Sequence, residues 1–276
     1  MNKKIWFILA LVLVSLMVVG TASAGLLDFM GGGNTSNQTA NDENTFIVGF
    51  DAEFPPYGFK DDSGNYTGFD LDLAKEVCER NNWTFKAQPI DWDAKDAELE
   101  SGSIDCIWNG FTIDGRENDY LWSNPYFDNK QIFVVKSDSG INSIADLKGK
   151  TVETQKDSSA LAALEGDNKT IASTFATLNQ VADYNTAFMD LESGACDAVA
   201  MDIGVAEYDI SKKNDTSAYS ILEEAITTEK YGIGFKKGND ALKDQVQSTL
   251  DEMFKDGTVT KIAQKYGISE DALIQP

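Results

Sequence analysis

Twelve residues in the first half of the chain, LESGSIDCIWNG (99–110), return 92 positions later as LESGACDAVAMD (191–202), aligned without a gap. Leu, Glu, Ser, Gly and Asp coincide, and Ile107 meets Val199. Each copy reads as the end of a helix, a glycine stop and a buried apolar strand. A strand–helix unit that recurs at this distance predicts two α/β lobes, each with its own sheet. Such sheets present ligand groups at the carboxyl ends of their strands. Those ends are Asn109 and Gly110 in the first copy, and Met201 and Asp202 in the second.

The rest of the chain carries the same alternation. TFIVGF (45–50), TFKAQPI (84–90), KQIFVVK (130–136), KTVETQ (150–155) and YGIGFKK (231–237) read as strands, beside the two in the repeat. Phe69, Leu73 and Val77, flanked by Ala74 and Cys78, form one face of a helix over 68–82 that Asp70 can cap. AKDAELESG (94–102) and SIADLKG (143–149) are short helices. Val181, Tyr184, Phe188 and Leu191 recur at helical spacing, as do Leu242, Val246, Leu250 and Phe254. Strand–helix alternation of this kind gives α/β architecture with mostly parallel sheets.

Composition removes several functions. The net charge is −22, which repels phosphate backbones and anionic membrane faces, so no nucleic-acid partner is expected. There is no histidine, which excludes a Ser-His-Asp triad, a Cys-His pair and a histidine-ligated metal. Cys78, Cys106 and Cys196 show no CxxC spacing and sit among apolar neighbours, as small core residues do. No cofactor, metal site or disulfide framework is expected.

The N-terminus reads as an export signal. Lys3 and Lys4 precede an apolar run from Ile5 to Val19, followed by the small-x-small pattern Ala22-Ser23-Ala24. Residues 1–24 are a signal peptide, or an anchor if the run is left uncleaved. Residues 25–44, which include most of GGGNTSNQTANDENT (31–45), read as a flexible linker. N-x-[ST] sequons occur at Asn34, Asn37, Asn65, Asn82, Asn168 and Asn214.

Only two of the 23 cationic residues are arginine, and one of them, Arg116, follows Asn109, Gly110 and Thr112 in a glycine-containing turn. The guanidinium fork makes two parallel hydrogen bonds to a carboxylate, which lysine cannot copy. Ser158 and Ser159 precede an apolar helix, where unpaired N–H groups favour anions. Asp202 offers an acceptor. Donors for an acid and one carboxylate match the two ends of an α-amino acid. Phe54, after strand 45–50 and before two prolines, and Trp92 stand at strand ends, as platforms for a ligand stem or as core lids. The same residues also fit a surface arginine, an ordinary N-cap pair and a capping aspartate, and spacing alone does not separate the two.

Eight motifs in order over about 230 residues carry a resemblance: VGFDAEFPPYGF, GFDLDLAKEV, IDWDAKDAELESGSIDCI, GFTIDGREN, WSNPY, DLKGKTVETQKDSS, GACDAVAMD and YGIGFKKGN. The chain resembles the family 3 extracellular solute-binding proteins, which capture polar amino acids for ABC transporters. The resemblance implies a two-lobed periplasmic binding protein-like fold of type II. Lobe 1 would be 45–130 plus 231–276, lobe 2 131–230, joined by two crossing strands with the ligand in the cleft. Arg116 would clamp the α-carboxylate with Thr112 and the backbone at Ser159. Asp202 and the Asn109–Gly110 turn would hold the α-amino group, and Phe54 and Trp92 would sandwich the side chain. Asp51 would meet its far end, and Gln155 and Ser158 would line the second lobe. Two departures stand out. The Thr112–Arg116 segment is one residue shorter than the family's usual one, and Asp157 replaces the usual glycine before the hydroxyl pair.

Asp51 favours a side chain with N–H donors, and an acidic ligand would be repelled. The expected mechanism is closure of a hinged monomer on its ligand and recognition of the closed form by a membrane permease, at the outer face of the membrane or in the periplasm. Two alternatives share the fold. One is a dehydratase acting on a cyclic carboxylic acid, which without histidine would need a carboxylate as general acid. The other is a sensory ectodomain, which would need a membrane span and a signalling domain after Pro276.

Overall fold

A computed structural model describes residues 44–275. The expected signal peptide or anchor, nearly all of the linker, and the sequons at Asn34 and Asn37 lie outside the described residues.

The chain opens with β1 (Thr45–Phe50), three short strands β2 (Glu53–Phe54), β3 (Gly58–Lys60) and β4 (Tyr66–Thr67), and helix α1 (Phe69–Asn81). Then come β5 (Thr84–Pro89), α2 (Lys95–Ser101), β6 (Cys106–Thr112), β7 (Leu121–Trp122) and the long β8 (Phe127–Lys136). The second half runs β9 (Thr151–Gln155), α3 (Ser159–Glu165), α4 (Lys169–Ala172), β10 (Thr177–Val181), α5 (Tyr184–Ser193), β11 (Ala198–Asp202) and α6 (Ile203–Ser211). It continues through β12 (Tyr219–Ile221) to β13 (Thr227–Phe235), α7 (Asp240–Lys255) and α8 (Thr258–Lys265).

The main strands form one continuous mixed sheet, in the order β10-β9-β11-β8-β13-β6-β1-β5. Its outer thirds are parallel, as the alternation requires: β5-β1-β6 at one end and β10-β9-β11 at the other. The two repeat copies supply β6 and β11. Between them β8 and β13 run antiparallel to their neighbours and to each other, with Phe127 opposite Tyr231 and Gln131 opposite Thr227. The two mostly parallel lobe sheets stand as expected, and the two long crossing strands that join them belong to both ends, which makes the sheet continuous.

Each outer third is packed by the helices that follow its strands. Helix α1 buries Phe69, Leu73, Ala74, Val77 and Cys78, the face its spacing predicts. Each large apolar side chain so buried contributes about 1.5–3 kcal/mol. Val246 and Leu250 are buried on α7, with Met253 beside them. Cys78, Cys106 and Cys196 are free and buried. Two local expectations fail. Val181 ends strand β10, and the helix it was expected to open begins at Tyr184. Asp70 does not cap α1: the N-cap is Gly68, with no side-chain cap. The Asp70 carboxylate is buried, accepting the Gly110 N–H at 2.6 Å and the Tyr126 hydroxyl at 2.8 Å.

Gly68 has φ 142°, and a Cβ there would lie 2.2 Å from the Tyr57 carbonyl oxygen. Only glycine occupies that region without strain of about 1–3 kcal/mol. Gly68→Ala should therefore lower the stability measured by urea unfolding by at least about 2 kcal/mol; an unchanged midpoint would contradict this backbone geometry. Burial pushes Asp70 and Asp209 up to about 7, and shifts Asp51 and Asp202 the same way. Groups raised in the folded state stabilise below the unfolded value near 4 and lose that contribution as pH rises through about 7. The ligand-free protein should thus melt at a higher temperature at pH 5 than at pH 8. A flat or rising melting temperature over that range would show these carboxyls to be solvated.

Candidate functional site

Ten of the eleven residues expected at the site line one cavity: Phe54, Trp92, Asn109, Gly110, Thr112 and Arg116 on the first wall, and Gln155, Ser158, Ser159 and Asp202 on the second. Local structure explains how each arrives there. Asn109, Gly110 and Thr112 end β6, and Gln155 and Asp202 end β9 and β11, so the carboxyl ends of parallel strands from both lobes meet. Gly110 has φ 54°, and a Cβ on it would be 2.7 Å from the Phe54 ring. That contact is why glycine stands here. Its N–H is used by Asp70, which leaves its carbonyl as the polar group it can offer.

The walls are closed on each other. The remaining space is about 10 Å³, room for about one water, so the lobes must part to admit anything larger. Asp51 is the exception among the eleven. It lies behind Gln155 and faces an adjoining chamber of about 660 Å³. Its carboxylate accepts the Glu53 N–H at 2.8 Å and Gln155 Nε2 at 2.6 Å, the latter across the cleft. Burial, opposed by those two bonds, raises it to about 6. Glu53, Asp91, Asp93, Glu98 and Asp183 share the chamber with Lys156.

Arg116 reaches across from the turn after β6. Its Nη1 donates to the Thr112 carbonyl at 3.4 Å and its Nη2 to the Asp157 carbonyl at 3.2 Å. The guanidinium carbon lies 5.4 Å from the Phe111 ring centroid. The fork is therefore held by neutral carbonyls and an aromatic face, with no carboxylate among the described residues paired to it. Asp157, which stands where the family usually has glycine, turns its carboxylate to Lys95, and Lys156 pairs with Asp93. Both ion pairs join the first wall to the second at the rim.

Ser158 is the N-cap of α3 and accepts the Leu161 N–H at 3.1 Å, so its hydroxyl serves the helix first. Asp202 precedes α6 but makes no capping bond. Its Oδ1 accepts from Asn129 Nδ2 and Gln131 Nε2, both at 2.7 Å, and from the Tyr231 hydroxyl at 2.5 Å. Burial first, then the Glu229 charge, pushes it up to about 7.

Glu229, Asn129, Gln131 and Tyr231 are not among the expected residues. All four are buried on the two crossing strands. Their signal is parity: Phe127, Asn129 and Gln131 alternate with exposed residues along β8, as Glu229 and Tyr231 do along β13. A charged or amide side chain at an inward position of a strand marks a polar interior.

A family model for bacterial extracellular solute-binding proteins, family 3, matches residues 46–269. The L-cystine-binding protein TcyJ of Escherichia coli K12 is 31% identical over 225 residues, 80% of this chain and 82% of that one. A substrate-binding protein of an ABC uptake transporter from Streptococcus pneumoniae, solved with bound histidine, superposes with a TM-score of 0.81 at 34% identity, over 84% of this chain and 95% of that one. AncCDT-1, an ancestral amino acid-binding protein and a precursor of cyclohexadienyl dehydratase, gives a TM-score of 0.73 at 30% identity, over 81% and 95%. The fold is the two-lobed type II arrangement of periplasmic binding proteins, and the chain belongs to the bacterial extracellular solute-binding proteins, family 3.

Proposed function

We propose that this protein captures one polar amino acid outside the cell and presents it, closed between the lobes, to an ABC transporter permease. The observation that carries the reading is that Arg116 and Asp202 face one cavity from opposite walls. Arg116, with Thr112 and the Ser159 backbone, takes the α-carboxylate; its fork exchanges neutral carbonyls for a charged partner. Asp202 and the Gly110 carbonyl take the α-ammonium. Phe54 and Trp92 hold the stem. Asp51 and Gln155 receive the far end of the side chain, and the acidic chamber beyond them favours ends rich in N–H donors, cationic ones first. An acidic side chain is excluded by the same charges.

Lobe 1 is 45–130 plus 231–276 and lobe 2 is 131–230. The change of strand partners supports this division: β8 pairs with β11 from Gln131 onward, and β13 pairs with β6 from Tyr231 onward. The ligand selects the closed form because only that form supplies both sets of partners. The protein acts as a monomer, at the outer face of the membrane or in the periplasm.

A second reading rests on Asp202: a buried carboxyl raised to about 7 has the acidity a general acid needs, and the dehydratase alternative requires a carboxyl in that role. The paired amino-acid groups on the two walls favour binding without chemistry. A thermal-shift screen of residues 45–276 against the 20 amino acids and a cyclic carboxylic acid, prephenate, separates the two. One polar amino acid should raise the melting temperature, and consumption of prephenate would overturn the reading. Arg116→Ala should weaken that amino acid at least 100-fold by calorimetry, equivalent to about 2.7 kcal/mol, with the melting temperature of the free protein kept. Unchanged affinity would remove Arg116 from the site.

A further inference from the structure

The floor of the cleft holds two carboxylates. Strand β8 lies between β11 and β13, with Gln131 opposite Asp202 on one side and Asn129 opposite Glu229 on the other. Both amides donate to both acids. Asn129 Nδ2 is 2.7 Å from Asp202 Oδ1 and 2.8 Å from Glu229 Oε1; Gln131 Nε2 is 2.7 Å and 2.8 Å from the same two oxygens. A single nitrogen thus bridges the acids, twice over. Thr112 Oγ1 from the first wall, at 2.9 Å, and Ser159 Oγ from the second, at 3.2 Å, complete the donors on Glu229.

No ion pair among the described residues reaches either acid. Asp202 is 3% exposed and Glu229 5%. Two like charges this close, with little water, are relieved when one takes up a proton or a cation arrives. Glu229 does not line the ligand cavity; it stands behind Thr112 and Ser159, so any effect on the ligand passes through its neighbours.

We propose that Glu229 is a positioning residue for the ammonium site: acting through Asp202, it makes the floor exchange a bound proton for the ligand's α-ammonium group. The inference rests on the amino-acid-binding reading above and adds to it a residue and a proton. In the free protein Asp202, raised by burial and by Glu229, is partly protonated near neutral pH. The entering ammonium favours the ionised carboxylate, and the proton passes to solvent. Capture therefore weakens as pH falls below about 7.

Asp51, raised to about 6 at the far end of the proposed ligand, adds a proton of its own; its partners are Glu53 and Gln155, so replacing Glu229 leaves that share unchanged. The phenols Tyr57, Tyr184 and Tyr231 are pushed upward by burial and remain protonated. Arg116 is the one cation on the cavity wall among the described residues. Asp70 and Glu207 act on Tyr57. Asp114, Asp128, Lys130, Lys230 and Asp271 share one groove with Glu229, and Asp114, Arg116 and Asp167 share another. Asp70 titrates in the same window, but its partners are Gly110 and Tyr126, so replacing Glu229 leaves it in place.

The test is calorimetry with whichever standard amino acid gives the largest thermal shift, run in two buffers of different ionisation enthalpy from pH 5.5 to 8.5. The wild-type protein should release most of a proton at pH 6 and none at pH 8.5, and bind about fivefold more weakly at pH 6 than at pH 7. E229Q keeps an acceptor oxygen for Thr112 and the amides but not the charge. It should release less at pH 6 and show a flatter affinity profile, while E229D should restore the release. No proton release by the wild type overturns the inference and leaves amino-acid binding standing, as does equal release by wild type and E229Q. If no amino acid binds the wild type, both readings fall. Should E229Q fail to fold, the wild-type proton count and E229D decide.

Discussion

Strands β8 and β13 each belong to both lobes, and the polar floor exists because they do. An antiparallel pair at the centre of a sheet has one face turned to the cleft, and its inward positions carry Asn129, Gln131, Glu229 and Tyr231. Apolar residues there would bury well and hold nothing. Amides and acids must instead satisfy one another, and they do so with groups from both walls, Thr112 and Ser159. The strands that cross between the lobes and the floor of the proposed site are the same. Any change in the angle between the lobes must rework these bonds, which couples closure to what the floor holds.

The architecture was legible because it rests on periodicity. Strand β1, helix α1, the two repeat strands and α7 stand where apolar spacing put them. Asn109, Gly110 and Asp202 follow from it too, since a parallel strand's carboxyl end is fixed once the strand is, whereas Arg116, Ser158 and Ser159 are marked by their chemistry and Gln155 by the resemblance alone. What spacing did not reveal depends on contacts distant in sequence. Asp70 looks like a helix cap because it stands in the first turn, yet Gly110 and Tyr126, 40 and 56 positions away, claim its carboxylate. Strand β10, TLNQV, has too little apolar content to announce itself and forms by pairing along β9. The partner of Asp157 is hidden for the same reason, since Lys95 lies 62 residues away. Glu229 is marked by parity along its strand, but the run YGIGF beside it is apolar without alternation and masks that signal.

The acidity of the protein has an inner and an outer part. Most of the excess charge lies at the surface, where it keeps the protein soluble. The inner part is a few carboxylates whose ionised forms are poorly supported by their surroundings: Asp51, Asp70, Asp202 and Asp209. Two of these belong to the proposed ligand contacts. A cleft that is uncomfortable when empty gains most from a cationic group, so the energy stored in those buried acids becomes selectivity for the ammonium end.

The two ion pairs at the rim, Lys95 with Asp157 and Lys156 with Asp93, have a consequence of their own. They connect the walls outside the cavity, and three of their four side chains are substantially solvated. Attraction of that kind is damped by dissolved salt, over about 8 Å at physiological ionic strength and about 3 Å at 1 M. In dilute surroundings the rim helps hold the jaws together whatever lies inside. In brine that help fades, and the shut state depends more heavily on its cargo.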